Sequence, residues 1–108
     1  MQFMLLLCAD ESVAWDPGAE LDGWLTEVAR SGRHLEGVRL RTAAYATTVT
    51  DHGRKVGDGP FSPGGPQITG YDVIECPDVD TAVRLAALHP VAAFGSIEVR
   101  PLWSERAP

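Results

Sequence analysis

Phe3-Met4-Leu5-Leu6-Leu7-Cys8 decides the fold, because this run is apolar at both parities of an extended strand. Phe3, Leu5 and Leu7 fall on one face, and Met4, Leu6 and Cys8 on the other. A strand of this kind has to be covered on both sides. The run is too short to span a bilayer, lacks a basic leader and is followed directly by Asp10-Glu11, so neither a membrane segment nor a signal peptide is expected. Cys8 and Cys76 fall in expected strands, where a free thiol behaves as a small buried hydrophobe. A disulfide is not implied, and the reducing cytoplasm is the default compartment.

Reading outward, Asp16 and Pro17 form a helix start, as cap and first helical residue, and Leu21, Trp24, Leu25 and Val28 make an apolar stripe that Ser31-Gly32 ends. Residues 34–40 read as a short irregular strand and residues 43–50, rich in small and β-branched side chains, as a better one. Asp51-His52-Gly53 is a turn, across which Arg54–Val56 can pair back. Glycines and prolines then crowd the stretch from Gly57 to Tyr71. A strand is expected from Tyr71 to Cys76, then a helix capped by Asp78 with the stripe Val79, Ala82, Val83 and Ala86. Pro90 stops that helix near Leu88-His89. Residues 96–100 make the last strand and 104–108 a loose tail.

The resulting order, β-α-β-β-α-β with an added hairpin, is an α+β, ferredoxin-like arrangement in a single domain over residues 1–103. Two helices cover only one face of its sheet. The doubly apolar first strand therefore predicts a second copy packed sheet to sheet, a homodimer enclosing a cavity between the sheets. A chain of 108 residues has little spare core, so a large apolar pocket inside one protomer is not expected. A net charge of −6 opposes nucleic-acid phosphates, so no nucleic-acid partner is expected.

The chemistry-bearing residues are few. His34, His52 and His89 stand at no metal-ligand spacing, so no metal and no cofactor are expected. His52 reads as a solvated turn residue, and His34 as an imidazole at the C-terminal end of the first helix. His89 is either a helix-end histidine meeting free carbonyls or a general acid/base at a pocket rim. Asp58 either fixes its turn through the next backbone amides or stands as a carboxylate at a cavity mouth. Arg100 is either a partner in an ion pair with a neighbouring strand or an anion-orienting group. Phe61 and Tyr71 are candidate cavity walls.

Met4-Leu5-Leu6-Leu7 with Asp10-Glu11, Ala46-Thr47-Thr48-Val49, Asp58-Gly59-Pro60-Phe61, Gly70-Tyr71 through Ile74-Glu75, His89-Pro90 and Gly95–Pro101 occur in an order that resembles the DGPF-domain branch of the YCII-related superfamily. The resemblance implies a ferredoxin-like protomer in a dimeric α/β barrel. It also implies small-molecule enzymes, some credited with a His–Asp pair, and a gene-level link to extracytoplasmic-function sigma factors. Three positions depart from the branch: Pro63 replaces an acidic residue, Asp72 an aromatic one, and His34 an apolar one. On this reading the chain is a cytoplasmic homodimer that binds a small molecule. If it is an enzyme, the expected chemistry is cofactor-free elimination or isomerisation with Asp58 as base, His89 as acid/base partner, and Phe61, Tyr71 and Arg100 around the substrate. The competing reading is a non-enzymatic regulatory or protein-binding module.

Overall fold

The computed structural model describes residues 1–13 and 18–104 of the chain. Six strands and two helices follow in order: β1 (Gln2–Ala9), α1 (Gly18–Ser31), β2 (Arg33–Arg39), β3 (Thr47–Thr50), β4 (Lys55–Asp58), β5 (Gln67–Glu75), α2 (Val79–Leu88) and β6 (Ser96–Pro101). The main sheet has the order β2-β5-β1-β6, with every neighbour antiparallel. That order places each of β1 and β5 between two partners, as a ferredoxin-like fold does. β3 and β4 form a separate two-stranded ribbon.

The double-sided reading of β1 holds. Phe3, Leu5, Leu7 and Ala9 are buried, while Met4, Leu6 and Cys8 are half-buried on the other face. Phe3 and Leu5 meet Ile74, Trp24, Val28, Ala82 and Leu85 in the main core, where each large apolar side chain contributes about 1.5–3 kcal/mol. The shortest dimension of the molecule is 18 Å, room for one sheet and one helix layer. The second sheet face is therefore uncovered within a single chain.

Local signals account for the helices. In α1 the expected stripe is the inner face, with Trp24 and Val28 buried; the expected cap, Asp16, and Pro17 lie outside the described residues, as do residues 105–108 of the expected tail. In α2, Asp78 accepts from the Thr81 N–H at 2.8 Å, and hydrogen bonding from the Thr81 side chain and then its backbone holds the Asp78 carboxyl below the usual carboxylate range. The stripe of α2 is corrected: Val79 and Val83 are about half exposed, and the core face is Ala82, Leu85 and Ala86. Those three share the i, i+3, i+4 spacing that one helix face requires.

Two strand expectations change. Residues 43–45 form a 3₁₀ turn, and β3 begins only at Thr47, because no strand lies beside Ala43, whose N–H donates instead to the Glu11 carboxylate. β5 begins at Gln67 rather than Tyr71, since Ile68 and Gln67 still pair with Cys8 and Ala9 past a bulge in the register. The hairpin across residues 51–53 forms as expected, with Asp51 and His52 in the left-handed region at φ 53° and 54°, which Asp and His tolerate better than most residues. Cys8 and Cys76 are free thiols, and burial pushes both above the ordinary thiol range. Among the described residues no helix is long and apolar enough to cross a membrane.

Candidate functional site

The middle of β5 carries Asp72, paired with Leu5 of β1 on one side and Gly37 of β2 on the other. It faces the helix layer, only 6% exposed. A buried carboxylate needs polar partners, and among the described residues two imidazoles stand beside it. His34 Nε2 lies 2.7 Å from Asp72 Oδ1, and His89 Nε2 lies 3.3 Å from Asp72 Oδ2.

Each partner arrives by a local backbone device. Along β2 the register shifts between His34 and Glu36, so a bulge at Leu35 breaks the strict alternation and puts both His34 and Gly37 on the helix side. Gly37 then leaves the space that the pair occupies. A Cβ there would stand 2.7 Å from Asp72 Oδ1 and 3.0 Å from His34 Cε1 and Nε2. Gly37→Ala is expected to part His34 from Asp72 and to destabilise the domain by about 1–3 kcal/mol. A long-range ¹H–¹⁵N spectrum of the imidazoles checks this, and an unchanged His34 signal contradicts it.

His89 ends α2. Pro90 holds it extended at φ −67°, ψ 139°, and the ring folds back so that the Val91 N–H donates to Nδ1 at 3.1 Å. As an acceptor, Nδ1 holds no proton, so Nε2 carries it toward Asp72. His89 is 2% exposed, so its ring is fixed within ion-pair distance of Asp72 and away from solvent. The His34 side chain is 25% exposed. With Nε2 committed to Asp72, its Nδ1 is the ring nitrogen left for chemistry. Trp24 holds both rings edge-on, its centroid 4.6 Å from that of His89 and 5.8 Å from that of His34.

All three residues line one cavity of about 410 Å³, whose other walls include Leu21 and Leu25 of α1 with Val91 and Phe94. A pocket of this size inside one protomer corrects the expectation drawn from chain length. It lies toward the end of the sheet, where Leu7, Ala9 and Val91 form a small cluster apart from the main core, so it does not displace the packing that stabilises the domain.

The residues anticipated from sequence divide. His89 and Tyr71 line the cavity, and the Tyr71 hydroxyl donates to Glu36 at 3.1 Å, an acidic neighbour that pushes its ionisation up. Asp58 sits exposed at the end of β4, opposite Thr47. Phe61 is 85% exposed. Arg100 lies on the uncovered sheet face, paired with Glu98 of its own strand at 3.0 Å. None of these three lines the cavity, and the carboxylate that His89 meets is Asp72. His34 lies in a strand as expected, but its imidazole stands in the cavity wall beside Asp72 rather than at the end of the first helix's dipole. One sequence signal pointed to the pair: His34 and Asp72 are two of the three departures from the branch that the chain resembles.

A family model of the YCII-related domain matches residues 1–106. No curated protein matches the chain.

Proposed function

The chain belongs to the YCII-related domain family, and on that premise we propose that it is an acid/base catalyst acting on a small, mainly apolar molecule bound beside α1. The observation that carries this reading is Asp72 held between His34 and His89, at 2.7 and 3.3 Å, in the wall of a 410 Å³ cavity. Asp72 orients the imidazole and stabilises the positive charge it gains. His34 takes a proton through Nδ1 and returns it elsewhere on the substrate, which is the net change of an isomerisation or, with loss of a leaving group, an elimination. His89 fixes the second carboxylate oxygen, and Tyr71 serves as a wall. The role first assigned to Asp58 passes to Asp72.

Hydrogen–deuterium exchange of a panel of carbonyl compounds with acidic C–H bonds, followed by ¹H NMR in D₂O, tests the reading. Wild-type protein is expected to exchange at least one compound, and His34→Gln to do so roughly 10²–10⁴-fold more slowly. Equal rates remove His34 from the mechanism.

The dimeric barrel belongs to the same proposal. Met4 and Leu6 are half-buried on the uncovered sheet face, and a second copy is the simplest cover. Sedimentation at several concentrations should report a dimer, and a concentration-independent monomer overturns this part. Free thiols at Cys8 and Cys76 support a reducing, cytoplasmic setting. A second reading, a protein-binding module in sigma-factor circuits, draws on the β3–β4 ribbon, whose paired Val49 and Val56 are 60% and 63% exposed. Partner capture that survives His34→Gln and Asp72→Asn would favour it.

A further inference from the structure

Only the end of the Gly/Pro stretch, Thr69 to Tyr71, lines the imidazole–carboxylate cavity, while its loop from Gly59 to Gly65 walls a second one. That second cavity, about 300 Å³, is walled by the loop at Gly59, Pro60, Pro63, Gly64 and Gly65 and by the turn at Ala43. Two residues, Asp10 and Glu11, belong to the walls of both cavities. At this shared wall, Glu11 reaches across to the turn and accepts the Ala43 N–H on both carboxylate oxygens, at 2.9 and 3.1 Å. Asp10 accepts from the Ser12 N–H at 2.9 Å, which holds its carboxyl in the charged form. The loop opposite is set in advance. Gln67 Nε2 donates to the carbonyls of Ser62 and Gly64, and Gly64 and Gly65 occupy left-handed backbone at φ 79° and 67°, which only glycine adopts freely.

We infer that the two cavities are the ends of one binding site, narrowed at Asp10 and Glu11, and that its ligand is elongated. An apolar body sits beside His34, a cationic or hydrogen-bond-donating group sits at the waist, and the remainder lies on the Gly/Pro loop. This rests on reading the first cavity as a small-molecule site. The chemistry of the waist follows from its two carboxylates, both with lone pairs beyond those the backbone uses. Among the described residues the second cavity has no Lys, Arg or His in its wall, so a carboxylate tail would meet like charge there. Arg39, the one Lys or Arg among the described residues in the wall of the first cavity, stays on the body side. A stiff loop suits this task, because a surface already in place loses little conformational freedom when a ligand lies on it.

Three probes test the inference by ¹H–¹⁵N titration of the full chain: benzylamine, 4-phenylbutylamine and 4-phenylbutyrate. Both amines are expected to shift the amides of Gly37 and Gly70, and only the longer one those of Gly59, Gly64 and Gly65. The long amine should bind roughly fivefold to tenfold more tightly than the carboxylate of similar length. Glu11→Gln retains an acceptor for the Ala43 N–H and so keeps the crossing, but should abolish most of that preference. If the long amine moves Gly37 and Gly70 and leaves the loop glycines still, the inference falls while the catalytic cavity stands. If neither set moves, both fall. A carboxylate that binds as tightly as the amine overturns the charge assignment.

Discussion

Asp72→Asn is expected to lower turnover roughly 10³–10⁴-fold while leaving the fold in place, as exchange of the orienting carboxylate does in other imidazole-based sites. Asparagine matches aspartate in shape, so Leu5 and Gly37 keep their neighbour. What changes is the supply of acceptors. Two imidazoles approach this side chain, one at each oxygen, whereas an amide offers one acceptor and one donor. His89 cannot adapt, because its Nδ1 is taken by the Val91 N–H. It keeps a proton on Nε2 and claims the amide oxygen. His34 is then left facing the amide NH₂ and must become an acceptor at Nε2, which moves its proton to Nδ1. The atom that should receive the substrate proton is thereby blocked. Long-range ¹H–¹⁵N correlation reads the His34 tautomer directly and needs no substrate, and the deuterium-exchange assay reads the rate. A folded Asp72→Asn protein with an unchanged His34 tautomer and unchanged exchange would refute the orienting role of Asp72.

The dependence of this site on register explains why the fold was more legible in the sequence than the site. The double parity of residues 3–8, the α1 stripe, the Asp78 cap and the Pro90 stop are all set within a few residues of one another. The order of elements followed from them. His34 and Asp72 are 38 residues apart, and their meeting depends on which strand pairs with which and on the bulge at Leu35 that alters the parity of β2. Periodicity counted along the chain places residues 34–40 in a strand but cannot register that shift, so it does not show that His34 and Gly37 share a face. Asp58, by contrast, stands out in the sequence through its glycine and proline neighbours. Those neighbours describe a stiff turn, and a turn is what they build. The cavity escaped prediction for a related reason: chain length limits how much core can form, not where along the sheet the helices stop.

The second large effect is on stability, at Trp24. Trp24→Ala is expected to cost about 3–5 kcal/mol, and Trp24→Phe about 1–3 kcal/mol, mainly for an acceptor left buried without its donor. Trp24 is 2% exposed and packs with Phe3, Leu5 and Leu85 in the core. Its Nε1–H donates to the Leu85 carbonyl at 2.8 Å. In a helix that continued, the His89 N–H would serve that carbonyl. Here it turns to Ala86 at 3.1 Å, since α2 stops before Pro90. The indole therefore satisfies one of the carbonyls that every helix leaves open at its C-terminal end, and it does so from α1, linking the two helices beneath the site. Phenylalanine keeps most of the volume and an edge for His34 and His89 but cannot donate. Alanine loses both. Urea unfolding followed by circular dichroism separates the two contributions, and the His34 and His89 ring signals should stay near their wild-type positions in Trp24→Phe and move in Trp24→Ala. Equal losses in the two variants would mean that the hydrogen bond to Leu85 outweighs the packing. A cost below about 1 kcal/mol for Trp24→Ala would contradict the placement of Trp24 in the core and its role in holding the two imidazoles against Asp72.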